Sequence, residues 1–263
     1  MSASTPSRRI AFSILHTNDM HSNFLLGLVA LMTLVVVGPG TPAAAQAPAG
    51  KGDTLVAIDV LLQPDAALTS YASALNSRLR ADYPSGYPLD GEQHAHVTLV
   101  QLIVNESDLP RVYEAVTRAL DAGASPLEMP LTATGIDGAY AAGIGLAALV
   151  VEDSPALQDL HERIVRAVAP FGVQGATTAA FSTTPSLPTV SEVWVRYAEA
   201  FIREYSGEHY EPHVTLGVAH EAFIRQLAAE PFTPVGFQSA AVAVHQLGDF
   251  GTAQRQRWTW TPR

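Results

Sequence analysis

One tetrapeptide, His-Val-Thr-Leu, occurs twice in this chain, at residues 96–99 and at residues 213–216. Each copy lies in a short apolar run that predicts a β-strand. Side chains alternate between the two faces of a strand, so the His and Thr of each copy share one face while the Val and Leu share the other. The chain therefore has to accommodate two strands that each offer an imidazole and a hydroxyl on one side and an apolar anchor on the other.

The apolar pattern from Thr54 onward predicts strands and helices in alternation. The predicted strands are 54–62, 94–104, 127–134, 144–152, 213–219, 235–247 and 255–261, and the predicted helices are 64–80, one beginning at Asp108, 155–168, 191–205 and 221–229. A loop rich in Gly, Thr, Ser and Pro at 172–188 separates two halves, and each half has a motif strand followed by a helix. This arrangement predicts an α+β fold with two similar lobes that face each other.

The first fifty residues differ from the rest. Arg8 and Arg9 precede an uncharged apolar run at 24–38, and small residues follow up to Ala47, which is the order of a secretory signal. The predicted segments are a signal peptide at 1–47 with cleavage near 45–47, a short linker at 48–53 and a folded domain at 54–263. We therefore expect export to the periplasm or the cell exterior. The apolar run is shorter than the roughly 20 residues that span a bilayer, which favours cleavage. An uncleaved leader that anchors the protein in a membrane is the alternative.

Composition limits the partners and the chemistry. Acidic residues outnumber basic ones by 25 to 15, and the formal net charge is −10. Affinity for long nucleic acids depends mainly on Lys and Arg, so the sequence predicts no long nucleic acid partner and a small ligand instead. The chain has no cysteine, which excludes a thiol nucleophile and a Cys-ligated metal. The protein is expected to act as a monomer whose chemistry depends on oxygen and imidazole groups.

The paired His-x-Thr-apolar strands resemble those of the 2H phosphoesterase superfamily, in the branch that contains 2'-5' RNA ligases and cyclic phosphodiesterases. The second copy, in its context at 211–217, and the tail at 243–260 resemble that branch as well. The first copy departs from it, because Gln-His-Ala at 93–95 stands where Arg-Pro or Pro often precedes the histidine. The resemblance covers most of 54–261. With the element pattern, it implies two antiparallel sheets, each with helices on its outer face, around a central cleft that bears both motifs.

The resemblance also implies a metal-independent 2',3'-cyclic phosphodiesterase or 2'-5' RNA ligase-like phosphoesterase that uses no cofactor. His96 and His213 would act as acid and base, in an order that the sequence leaves open, because histidine titrates near pH 7. Thr98 and Thr215 would donate hydrogen bonds to phosphate oxygens that gain charge in the transition state. The substrate would be a small cyclic nucleotide or an RNA terminus.

Four further residues are candidate substrate contacts. His94 lies two residues before His96 and therefore on the same predicted strand face. Tyr210 and Phe250 lie in turns near the motifs and could stack on a base. Arg255 on the last strand could bring positive charge to a phosphate. For each of these residues, ordinary packing or solvent exposure is the alternative.

Two other functions remain open. One is an exported, non-catalytic module that binds a small phosphorylated ligand, although such a module would not need an acid and base pair. The other is metal-dependent hydrolysis with the histidines as ligands, but no carboxylate lies at ligand spacing beside either motif, so no metal is expected. An Asp-x-His pair at Asp19 and His21 resembles the first metal motif of 5'-nucleotidase-like metallophosphoesterases. It lies ahead of the export signal and lacks a downstream Gly-Asn-His motif, so we do not assign that function.

Overall fold

The computed structural model describes residues 54–262. In this range the strands are β1 Leu55–Pro64, β2 Val97–Asn105, β3 Leu131–Ala141, β4 Ile144–Val151, β5 His213–His220, β6 Val235–Phe237, β7 Ser239–Leu247 and β8 Ala253–Thr259. The helices are α1 Ala66–Asp82, α2 Leu109–Asp121, α3 Pro155–Val168, α4 Glu192–Glu204 and α5 Glu221–Ala228. The predicted signal peptide, the linker at 48–53 and the Asp19 and His21 pair lie outside the described residues. None of the helices within 54–262 has the length and apolarity that crossing a membrane requires.

Two antiparallel sheets of four strands confirm the predicted α+β fold with two lobes. The first sheet has the strand order β2-β1-β7-β8, and the second has the order β5-β4-β3-β6. Both motif strands, β2 and β5, are therefore edge strands, and they contact each other where the two sheets meet. This seam is where the two copies of the tetrapeptide come together.

The lobes do not coincide with the two halves of the sequence. β3 and β4 precede the loop at 172–188, yet they pair with strands that follow it, and β7 and β8 return to the first sheet. The single strand predicted at 235–247 is consequently wrong, because the chain passes from one sheet to the other at Gln238. Asp65 holds this crossing, since its carboxylate accepts from the Gln238 N–H at 3.0 Å and its own N–H donates to the Gln238 carbonyl at 2.9 Å.

The strand predicted at 127–134 is displaced and too short. β3 begins at Leu131 and continues to Ala141, where a hairpin leads into β4. Ala142 and Gly143 form the two-residue turn with φ of 52° and 82°, the left-handed values that such hairpins need. Two glycines and an aspartate at 135–138 have low strand propensity, which is why the pattern predicts an earlier end. Pairing with β4 overrides that local preference.

Both motif strands contain a β-bulge at the same place. The pairing skips Leu99 in β2 and Leu216 in β5, the last residue of each tetrapeptide. The flanking pairs are Thr98–Leu61 and Val100–Val60 in the first sheet, and Thr215–Ala148 and Gly217–Ala147 in the second. A bulge bends its strand and re-aims neighbouring side chains. The two tetrapeptides thus interrupt their ladders at the same residue.

Each bulge is held by a helix that is distant from it in the sequence: α1 holds the bulge of β5, and α3 holds the bulge of β2. α1 lies between β1 and β2 in the sequence but packs against β5, where Asn76 Nδ2 donates to the Leu216 carbonyl at 2.8 Å. α3 and α4 precede β5 but pack against β2, where His161 Nδ1 donates to the Leu99 carbonyl at 2.7 Å. A buried carbonyl left without a donor is costly, so these side chains compensate for the interrupted ladder.

Candidate active site

The structure brings both motif pairs into one cavity. His96, Thr98, His213 and Thr215 line a cleft of about 660 Å³, a volume that includes its open mouth. The alternate residues of the two motifs are fully buried on the opposite side, namely Val97, Leu99, Val214 and Leu216. The alternation of faces predicted from the sequence is therefore present in both copies.

The first motif differs from the second in where its strand begins. The ladder of β2 starts at Val97, so His96 lies immediately before the strand, whereas His213 is the first residue of β5. His94, predicted to be the first strand residue, makes only a single bridge to Ala253 of β8. The predicted strand boundary at 94 is wrong by three residues, but His96 still faces the cavity.

Each motif histidine has its Nδ1 held by the carbonyl two residues earlier. Nδ1 of His96 lies 2.7 Å from the His94 carbonyl, and Nδ1 of His213 lies 2.8 Å from the Glu211 carbonyl. A carbonyl can only accept a hydrogen bond, so Nδ1 carries a proton in both rings. Nε2 is then the nitrogen that can gain or lose a proton during a reaction.

Asp59 of β1 lies beneath the first half of the site and is 0% exposed. Its Oδ2 accepts from the Thr98 hydroxyl at 2.7 Å and from Gln101 Nε2 at 3.1 Å, and it lies 3.5 Å from Nε2 of His96. Its Oδ1 is buried and has no hydrogen-bond partner among the described residues. Asp59 was not among the residues predicted from the sequence, although a lone acidic residue in the apolar run of β1 was an available signal.

Asp59 changes what Thr98 can do before a ligand binds. A hydroxyl has one proton to donate, and that of Thr98 is directed to Asp59. To donate to a phosphate, as the sequence predicts, this hydroxyl has to turn away from the carboxylate. Thr215 makes no hydrogen bond through its hydroxyl to any residue in 54–262, so its proton is already available to a ligand.

The pKa values of the two histidines move in opposite directions. Burial lowers the pKa of His96, but the Asp59 carboxylate and the His94 carbonyl outweigh this effect and raise it above its ordinary value. Burial lowers the pKa of His213, and the charge of His96 adds to that effect, against a smaller opposing influence of the Glu211 carbonyl and Asp59. At pH 6.5, the protonated form therefore predominates for His96 and the neutral form for His213, the combination that acid–base catalysis by two groups needs.

Aromatic side chains form much of the cavity wall. The six that line it are Trp194, Tyr197, Phe201, Tyr205, Tyr210 and Phe250. The first four belong to α4 or directly follow it, at a spacing that places them on one helix face. α4 thus borders the cleft. This wall was not predicted, although the aromatic residues spaced three and four apart in the predicted helix at 191–205 were a signal for it.

Two of the candidate substrate contacts line the cavity. Tyr210 donates through its hydroxyl to the Thr98 carbonyl at 2.8 Å, and its ring stacks on His161 with centroids 3.8 Å apart. One face of the Tyr210 ring is thus covered by protein. Phe250 packs against Trp194 with ring centroids 5.9 Å apart and has a φ of 57°, a left-handed value that is rare for an aromatic residue.

The other two candidate contacts lie outside the set of lining residues. His94 packs against His245 of β7 with ring centroids 5.1 Å apart. Arg255 is exposed on β8, opposite Gln246. A substrate role for either residue remains a prediction from the sequence.

Within 54–262, no Lys or Arg lines the cleft, and Glu211 is its one acidic lining residue. In the same range, no three or more His, Asp or Glu side chains are grouped so that they could hold a metal ion. The absence of a metal requirement remains a prediction that an activity assay has to test.

Comparison with known proteins finds a matching family model and several similar solved structures, LigT and Usb1 among them. The family model described as the 2'-5' RNA ligase superfamily matches residues 64–247. LigT from E. coli, in its apo form, is 12% identical, with 79% of this chain and 97% of LigT covered and a TM-score of 0.40. Usb1 from Kluyveromyces marxianus is 12% identical, with 77% of this chain and 98% of Usb1 covered and a TM-score of 0.37. A search of curated protein sequences found no match.

Proposed function

The chain belongs to the 2'-5' RNA ligase superfamily, and we propose that its cleft hydrolyses 2',3'-cyclic phosphodiesters of small nucleotides or RNA ends without a metal ion. One observation carries this proposal. Two imidazoles and two hydroxyls from equivalent strands line a single cavity, and the two imidazoles favour opposite protonation states. The predicted leader would place this reaction outside the cytoplasm.

The reaction needs one acid and one base on opposite sides of the phosphorus atom. A water oxygen attacks phosphorus while the bond from phosphorus to one ribose oxygen breaks. The neutral histidine takes a proton from the water at Nε2, and the protonated histidine gives its Nε2 proton to the departing ribose oxygen. One water is consumed, a phosphomonoester forms, and exchange with solvent restores both imidazoles.

The threonines would stabilise the charge that grows on the non-bridging phosphate oxygens. Thr215 can donate directly, and Thr98 can donate once its hydroxyl turns from Asp59. The aromatic wall formed by α4 offers flat surfaces that a nucleobase can contact. With a 5'-hydroxyl in place of water as the attacking group, the same acid and base would open the cyclic phosphate and join two RNA ends, but hydrolysis is favoured in water.

The test is turnover of a 2',3'-cyclic mononucleotide by the purified protein in excess EDTA, beside His96→Ala and His213→Ala. We expect each substitution to lower kcat by at least about 100-fold, because each removes one proton-transfer group. His209→Ala is the matched control, since His209 is exposed and not a lining residue, and it should retain full activity.

Other results would redirect the assignment. Loss of turnover in EDTA alone would establish a metal-dependent reaction. Absence of turnover by the unmutated protein on mononucleotides and on short RNA with a cyclic phosphate end would favour the non-catalytic binding module.

A further inference from the structure

The shared register of the two motif strands allows the half-sites to be compared position by position. With the two threonines matched, Asp59 in β1 corresponds to Leu146 in β4, and Gln101 in β2 corresponds to Val218 in β5. The row also continues into the third strand of each sheet, where His245 corresponds to Ala139. One half-site is therefore supported by a polar row and the other by an apolar row, although the tetrapeptides are identical.

The apolar row shows that the fold does not need a carboxylate at this position. Leu146 occupies the matching place in the second sheet, where the same bulge forms beside the same motif. Burying a charged group is costly, and Asp59 leaves its Oδ1 without a hydrogen-bond partner among residues 54–262. Because Asp59 lowers stability and the fold can form without a carboxylate at this position, we expect its role to lie in the site.

The contacts of Asp59 identify that role. Its Oδ2 lies 3.5 Å from Nε2 of His96, the nitrogen left for proton transfer once Nδ1 is bound to a carbonyl. The same oxygen accepts the Thr98 hydroxyl at 2.7 Å, while Gln101 donates to it from the side at 3.1 Å. Asp59 thus touches both side chains of the first motif and is shielded from solvent beneath them.

We propose that Asp59 is a positioning residue that keeps a proton on Nε2 of His96, which makes the first half-site the proton donor. This inference rests on the proposed hydrolase function. It assigns His96 to protonation of the departing ribose oxygen and His213 to deprotonation of the attacking water.

The other titratable groups around His96 and Asp59 are the imidazoles of His94, His213 and His245, the phenols of Tyr197 and Tyr210, and the carboxylate of Glu211. A charge on any of the three imidazoles would oppose protonation of His96. Burial raises the pKa of both phenols, so they stay neutral near pH 7. Asp59 is the carboxylate that lies in contact with His96.

A change of leaving group tests the assignment. Catechol cyclic phosphate has the same five-membered ring as a 2',3'-cyclic nucleotide, but its departing oxygen is a phenolate that needs less help from an acid. Asp59→Asn and His96→Ala should each lose about 100-fold on the nucleotide and less than about 10-fold on the catechol ester. His213→Ala should lose about 100-fold on both, because both reactions need an activated water.

Two controls separate this role from a structural one. Asp65→Asn makes the same chemical change further along the chain, at the cap of α1, and should lower thermal stability while leaving activity on both substrates unchanged. Asp59→Leu copies Leu146 of the second half-site and should give the same substrate pattern as Asp59→Asn. Equal losses on both substrates in the Asp59 variants, or no loss on either, would overturn the proposal.

An NMR titration of the His96 imidazole does not depend on turnover. We expect its midpoint to fall to lower pH in ligand-free Asp59→Asn and not in Asp65→Asn. An unchanged midpoint would overturn the proposal even in an active enzyme. A shifted midpoint in a protein that turns over neither substrate would contradict the proposed function but support the effect of Asp59 on His96.

Discussion

Burial makes an imidazole harder to protonate, and His213 and His245 follow that rule, with the pKa of His245 lowered to about 3. His96 is also buried but behaves differently, because the carboxylate of Asp59 lies 3.5 Å from its Nε2. Two identical tetrapeptides therefore carry histidines with different proton affinities. The difference comes from a neighbouring strand and not from the motif.

The pH dependence of activity should report these two shifts. The base has to be neutral, so activity should fall at pH values below the pKa of His213, which lies under 6.5. The acid has to be protonated, so activity should fall at pH values above the pKa of His96, which lies over 6.5. We expect a plateau in kcat/KM that includes pH 6.5, measured on a 2',3'-cyclic mononucleotide. A profile that rises or falls through a single ionisation across this range would contradict a two-histidine mechanism.

For individual residues, the repeated tetrapeptide predicted which side chains lie together. His96, Thr98, His213 and Thr215 share a cavity because strand periodicity fixes the side to which each one points. Asp59 was not predictable in the same way, since its contact with Thr98 joins residues that are 39 positions apart. That contact depends on strand pairing, which a single sequence does not display.

Among the secondary-structure elements, the bulged motif strands depend most on side chains outside them. Asn76 Nδ2 donates to the carbonyls of both Leu216 and Tyr87, at 2.8 and 3.0 Å. Gly217 follows the bulge with φ of 138°, and a Cβ there would lie 2.7 Å from Asn76 Nδ2. The Asn76 side chain of α1 therefore packs directly against the bulge and Gly217, behind Thr215.

Asn76→Leu keeps a similar side-chain volume, removes both donated hydrogen bonds and also removes the acceptor of the Leu89 N–H, whose nitrogen lies 3.1 Å from Asn76 Oδ1. We expect the free energy of unfolding to drop by about 2 kcal/mol or more, because two buried carbonyls lose their donor. Urea denaturation at pH 7 measures this change. Ser70→Ala, at an exposed position on the same helix, should alter stability by less than about 0.5 kcal/mol. Equal stability of the two variants would show that the bulge does not need its helix donor.

Helices were predicted more accurately than strands for a physical reason. The predicted helix at 155–168 matches α3, since Ser154 caps its first turn through its own hydroxyl. The strand predicted at 235–247 was wrong as a single element, because a change of sheet at Gln238 leaves no local sign in an apolar run. Local capping is encoded locally, whereas the choice of sheet depends on distant partners.

For the molecule as a whole, buried imidazoles link stability to pH. Burial lowers the pKa of His94, His161, His213 and His245, so the unfolded chain binds more protons than the folded one below pH 6.5. Stability should then decrease as the pH falls through this range. His96 acts in the opposite sense, because its raised pKa stabilises the fold below pH 6.5 and that contribution is lost at higher pH.

Urea denaturation at pH 7 and pH 5 should reveal this linkage. With a folded pKa of about 3, His245 alone should account for a loss of about 2 kcal/mol at pH 5. His245→Gln should reduce the difference between the two pH values by about that amount. His209→Gln, which changes an exposed histidine, should leave the difference as it is in the unmutated protein. A pH dependence unaffected by His245→Gln would rule out this imidazole as its source.

The sequence predicted two similar lobes, but it did not predict which strands form each lobe. Two motif strands, each followed by a helix, indicated an internal repeat. The loop at 172–188 suggested a boundary, yet strands from both sides of it share the second sheet. Composition marks loops well, but it does not distinguish a loop that separates lobes from one that connects strands of the same sheet.

The crossed packing of the helices has a consequence for ancestry. α1 follows β1 in the sequence but supports the bulge of β5, and α3 precedes β5 but supports the bulge of β2. One repeat alone would leave its motif strand without a covering helix and its bulge carbonyl without a donor. If this fold descends from a single repeat, that ancestor was complete only as two chains that exchanged helices. Gene fusion would then have joined a pre-existing homodimer, and the two halves of its site could afterwards diverge independently.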